Sequence, residues 1–198
     1  MLKEQVQQFI TNTAKDHPEG IVLFPAEQRY AEEKGILPTN VTYQIGDPKD
    51  RFSSIYLELC DKETENFISE QSEDFLSEPI AYFKRHQNEF LYIESAWFDC
   101  IGIEGISFEQ DDVFKTYNVM TGLKVPKKYQ QAIKDFLEDS LAGGQPLYSL
   151  MFSQNDGLWE LNFTLDYVSG FDHGMTIQEA LELIYQLVFS LGKAIEPN

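Results

Sequence analysis

The stretch LWELNFTLDY, residues 158–167, sets the tightest limit on what this chain can fold into. Trp159, Leu161, Phe163, Leu165 and Tyr167 alternate with Glu160, Asn162, Thr164 and Asp166. Successive side chains of a strand point to opposite faces. A period of two held this long predicts a strand with one buried face and one wet face. PLYSLMFS precedes it, and QNDG lies between. The pattern over 146–168 therefore predicts a hairpin, with Trp159 buried under a helix.

A sheet with one apolar face needs helices to cover that face. Residues 2–15 place Leu2, Val6, Phe9, Ile10 and Thr13 on one helical side. AEQRYAEEKG predicts a short helix stopped by Gly35. Pro126 opens a helix to about Ala142, with Tyr129, Ile133, Phe136, Leu137 and Leu141 inward and Gly143–Gly144 ending it. Thr176 and Glu179 form a capping box before a broad apolar face, Ile177 to Leu191. Phe67, Ile68, Phe75 and Leu76 suggest a further helix over 61–78. Ser77 would cap another, with Pro79 in its first turn and Ile80 and Phe83 inward. SIYLELC (54–60) reads as strand or helix start, and 36–52 as an ordered loop or short strand. Aromatic and β-branched content predicts strands across 90–108 and 113–120, with Gly102 and Gly105 at bulges or turns. The expected class is α+β: an antiparallel or mixed sheet with helices packed on it, in one domain over 1–198.

Charge restricts the partners. Thirty-three acids against 15 bases give a net charge of −18, a surface that repels phosphate backbones and anionic lipid. Nucleic acid and membrane are thus disfavoured. Solubility explains such a charge, and so does an acidic face for a basic protein partner. No Lys or Arg lies between Arg85 and Lys115, or between Lys134 and Lys193. The opening MLKEQVQQF lacks the layout of a signal peptide, and no stretch approaches the roughly 20 apolar residues of a spanning helix. The expected location is the cytoplasm, where Cys60 and Cys100 stay reduced. There the glycosylation patterns at Asn40 and Asn162 carry no meaning.

Catalytic signatures are sparse. His17, His86 and His173 form no close metal pair. Asp172 beside His173 is the one tight acid–histidine neighbour, a candidate for metal or acid–base work; a polar loop before the last helix suits the Gly170 and Gly174 flanks better. Glu94, Asp99, Glu104, Asp111 and Asp112 could offer oxygen ligands, at a spacing that matches no known loop. A cysteine nucleophile would need a histidine partner. Both cysteines flank apolar runs, which predicts buried thiols. No metal site and no bound cofactor are expected.

RFSSIYLELCDKETE, FLYIESAWFDCIGIEGISFEQDDVFKTYNVMTGLKV and DGLWELNFTLDYVSGF span much of the chain. On these stretches it resembles an uncharacterised family of about 200-residue proteins from Gram-positive bacteria, whose members sometimes carry the label branched-chain amino acid aminotransferase. The label would imply pyridoxal phosphate, a Schiff-base lysine and a phosphate cradle. No motif of that class occurs here, so no residue carries over. The hairpin around LWELNFTLD is also similar to small acidic immunity proteins that pair with toxins. Two functions stand after this reading. One is a non-enzymatic acidic domain that binds a protein, regulatory or immunity-like. The other is an enzyme or small-molecule binder, with the aminotransferase label as its specific form. Homo-oligomers are compatible with both.

Overall fold

The computed structural model describes residues 1–39, 41–142 and 148–196. Helix α1 (Leu2–Asp16) leads into β1 (Ile21–Leu23), α2 (Pro25–Glu33) and β2 (Tyr43–Ile45). Strands β1 and β2 pair in parallel, apart from the main sheet. Next come β3 (Tyr56–Asp61), β4 (Phe67–Gln71), the single turn α3 (Tyr82–Arg85), β5 (Glu89–Glu94), α4 (Ala96–Ile101), β6 (Ile103–Gln110) and β7 (Tyr117–Leu123). Helix α5 (Gln130–Ser140), β8 (Tyr148–Ser153), β9 (Leu158–Thr164) and α6 (Ile177–Ala194) complete the chain.

Seven strands form one antiparallel sheet in the order β4-β3-β5-β6-β7-β9-β8, and the fold is α+β. Leu57 and Leu59, Leu91 and Ile93, Ile106 and Phe108, Val119 and Leu123, and Trp159, Leu161 and Phe163 project from one face into the core. There they join Val6 and Ile10 of α1, Phe98 of α4, Ile133 and Leu137 of α5, and the apolar side of α6. The alternation at Trp159–Phe163 thus buries the face it predicts, with Trp159 1% exposed. Past Thr164 the strand gives way to a 3-10 turn, Leu165–Tyr167.

Helix α6 starts on the expected capping box, Thr176 Oγ1 accepting from the Glu179 amide. Its first turn is sewn to the chain before α3. The Ile177 amide donates to the Glu78 carbonyl at 2.9 Å, and the Ile80 amide to the Met175 carbonyl at 3.0 Å.

Several expectations are corrected. Residues 61–78 hold no α-helix. Asp61 Oδ1 accepts from the Glu63 and Thr64 amides, and Glu65 takes φ of 57°, so the chain turns back as strand β4. Phe67 and Ile68 are exposed. Ser77 caps no helix. Pro79 bridges to Thr176 instead, while Ile80 and Phe83 are buried as expected. Residues 96–101 are helix rather than strand, between the Ser95 cap and Gly102, which takes the left-handed conformation that ends a helix. Pro126 leads into a 3-10 turn, Lys127–Tyr129, before α5. Tyr129 and Phe136 are only half-buried. Asn40 and Gly143–Gly144 lie outside the described residues.

Candidate functional site

The second face of the sheet carries no helix packed on it among the described residues. Its side chains follow from the register. One row crosses all seven strands: Glu70, Glu58, Tyr92, Ser107, Met120, Asn162, Ser149. The next row on the same face runs through Tyr56 and Glu94, then resumes with Gly122, Glu160 and Met151 beyond an irregularity in β6. No core leucine, isoleucine or valine appears in either row. This is the wet face that the β9 alternation requires.

Near the middle lies an open hollow of about 550 Å³. Gly105 and Gly122 are among its lining residues. A Cβ on Gly105 would stand 2.9 Å from Tyr92 Oη. One on Gly122 would press Leu158 at 3.3 Å and Glu104 Oε2 at 3.4 Å. Gly105 is buried against Tyr92 and Gly122 is half-buried, Tyr92, Met120, Met151 and Leu158 supply apolar walls, and Glu104 and Glu160 stand at the rim. Met151 is 61% exposed.

Two carboxylates of this face, Glu58 and Glu94, are held by neutral donors. Tyr56 Oη donates to Glu58 Oε2 at 2.5 Å, Cys60 Sγ to Glu58 Oε1 at 3.1 Å, and Tyr92 Oη to Glu94 Oε1 at 2.7 Å. The phenol and the thiol hold Glu58 below its ordinary value. The same bond pushes Tyr56 up to about 12. Burial, then Glu94, pushes Tyr92 up to about 12. A phenol orients a carboxylate without cancelling its charge, so the face keeps its negative field. Lys124 stands against the rim, its Nζ 3.7 Å from Glu104 Oε1 with both groups about half exposed.

The chain matches no protein-family model, no curated protein and no solved structure.

Asp172 and His173 are not brought together as a catalytic pair. Asp172 Oδ1 accepts from the Gly174 amide at 2.7 Å, closing a tight turn before α6. His173 is exposed and sets its ring edge-on against Phe171, with centroids 5.0 Å apart. The candidate oxygen ligands scatter as well. Glu94 and Glu104 lie on the open face, Asp99 on α4, and Asp111 and Asp112 in the β6–β7 turn. Among the described residues no group of three or more His, Cys, Asp or Glu side chains could hold a metal ion. Both cysteines are buried and unpaired. Burial pushes the Cys60 thiol up to about 12, with Glu58 adding to the rise, and it raises Cys100 further.

One polar cluster left no sign in the sequence. Arg51 is fully buried, with Nη1 2.6 Å from Glu27 Oε1 and Nε 3.0 Å from Glu182 Oε2. Its guanidinium lies 4.0 Å from the Tyr185 ring centroid and 4.5 Å from that of Phe24. Charge pairing and ring stacking compensate the desolvation of a planar cation. The cluster ties α2, the turn after β2 and α6 together, and reads as part of the scaffold.

Proposed function

We propose that this chain is a non-catalytic binding protein whose open sheet face takes a basic protein partner. One observation carries the reading. Seven strands present an uncovered face on which acids outnumber cations: Glu58 and Glu94 are oriented by phenols and a thiol, and of the two rim acids only Glu104 lies, among the described residues, against a lysine, Lys124, in a half-exposed pair. Glu104 and Glu160 flank a hollow with apolar walls, which suits a long cationic side chain whose stem packs on Met120, Met151 and Leu158. A net charge of −18 would steer a basic protein toward the molecule. A cytoplasmic setting fits two unpaired thiols. A regulatory or immunity-like role, and kinship with the Gram-positive family named above, belong to the same reading.

The test compares wild type with Glu94→Gln, Glu104→Gln and Glu160→Gln combined. A lysate of the source organism is passed over each. The reading expects a basic protein retained by wild type and lost from the triple variant, with an association rate that falls as salt rises. Equal retention by both would overturn it. The second reading, a small-molecule site, draws on the same hollow, whose size falls among ordinary ligand pockets of about 300–1,000 Å³. Its aminotransferase form lacks a lysine among the residues lining the hollow. A pyridoxal phosphate absorbance band abolished by a single Lys→Ala change would establish that form instead.

A further inference from the structure

The two edges of the sheet differ. Edge strands expose unpaired N–H and C=O groups, and natural proteins blunt them with charges, prolines or bulges. Strand β4 has such protection. Its pairing to β3 slips between Leu59 and Cys60, leaving Ile68 as an extra residue, and it carries Glu70. Strand β8 has none. Its sequence, YSLMFS, contains no charge, no proline and no glycine. It pairs with β9 without a register break from Tyr148 to Ser153. No described strand pairs with its outer side.

The chemistry of that edge is self-complementary. Tyr148, Leu150 and Phe152 face the helical side yet remain half-exposed, while Ser149 and Met151 stand on the open face. In an antiparallel pair about a two-fold axis, residues on the same side must meet. Centring the axis on Leu150 sets Leu150 against its own copy and Tyr148 against Phe152 of the other chain. That pairing would cover the half-exposed apolar row. In a chain of net charge −18, this edge strand itself brings no charge. Of the groups beside it, Glu138 accepts from Tyr148 Oη at 3.1 Å while Lys127 Nζ lies 5.3 Å from the Phe152 ring centroid, so acid and base stand against the two residues that would pair across the axis.

We infer that β8 is a homodimer edge, across which two copies form one continuous antiparallel sheet. The inference stands apart from the open-face reading, and the two respond oppositely to salt. Screening weakens attraction to a basic partner, whereas it relieves repulsion between two acidic copies. Six paired residues span only about 20 Å. The contact is small beside the roughly 800 Å² per partner of a standard stable interface. The dimer is therefore expected to dissociate on dilution through roughly the micromolar range.

Sedimentation velocity on the full chain from about 1 to 200 µM tests this, at salt from about 0.05 to 0.5 M. The expected result is a monomer–dimer equilibrium that shifts toward dimer as salt rises. Met151→Glu adds an exposed charge to the edge and is expected to weaken the dimer at least about tenfold, with an unchanged circular dichroism spectrum. Leu150→Cys is expected to yield a covalent dimer with a short bis-maleimide. Wild type, whose two thiols are buried, is expected to yield none. A monomer under every condition overturns the inference. So does a dimer that Met151→Glu leaves intact and Leu150→Cys does not cross-link.

Discussion

Trp159 heads the fully buried side chains by volume, and its ring meets Phe152 with centroids 4.9 Å apart. Trp159→Ala should cost about 3–5 kcal/mol, because the sheet and the helices over it cannot collapse into so large a void. A urea melt checks this, and a loss under about 1 kcal/mol would mean that the side chain is not in the core. Asp111 gives a prediction in pH. Its carboxylate accepts from the amides of Phe114 at 2.7 Å and Val113 at 2.8 Å. Those bonds, Phe114 first, hold it below the ordinary aspartate value of 3.8. A depressed folded value means stability present above the unfolded value and lost as pH falls through the folded one. Asp111→Ala should therefore be less stable than wild type at neutral pH, by about 1 kcal/mol given its exposure. The gap should close only below about pH 4, as followed by thermal melts across pH. Trp159 was legible because its neighbours two positions away declare its face. Arg51 was not, since its acid partners lie 24 and 131 positions distant and no periodicity marks them. Asp172 and His173 are adjacent in sequence, and the short carboxylate arm closes its own turn, as the glycine flanks of a polar loop suggest.

Among elements, α1, α5, α6 and the β8–β9 hairpin could be read from the sequence, because each carries its period or its caps locally. The open face followed from the same alternation, since a polar residue at every second position of β9 leaves one side of the sheet to water. Its hollow was hidden. Gly105 and Gly122 lie on neighbouring strands, and only the sheet register sets Glu160 beside Gly122. Residues 61–78 failed because four apolar residues fit a helical stripe, while the competing signal was the tight turn that Asp61 and Thr64 build. In residues 96–101, aromatic content suggested strand, yet Ser95 and Gly102 cap a helix at both ends. Local caps outweighed side-chain preference there. Caps also carry measurable stability. Thr176→Ala removes the acceptor for the Glu179 amide and should cost about 1 kcal/mol in a denaturant melt. Thr176→Asn, which keeps an acceptor, should retain most of it. Equal losses in the two variants would show that the side chain does not act as a cap.

At the scale of the whole molecule, net charge is the property that the sequence declares outright. With 33 acids and 15 bases the folded chain repels itself, most strongly where no counter-ion screens it. The melting temperature at neutral pH should rise from low salt to roughly 0.3 M sodium chloride, as the screening length contracts below about 10 Å. A flat profile would show that the carboxylates lie too far apart to oppose folding. The seam between α6 and residues 78–80 acts on the same scale, and its consequence concerns biosynthesis. A ribosome delivers all seven strands before it delivers α6, the longest of the helices that cover their apolar face. Until Ile177–Ala194 clears the exit tunnel, the core that α1, α4 and α5 share with the sheet lacks the apolar side of α6, and the uncharged β8 edge is already present. The interval before the last helix docks is when this protein most needs a chaperone, and when crowding on a polysome would most readily join two unfinished chains.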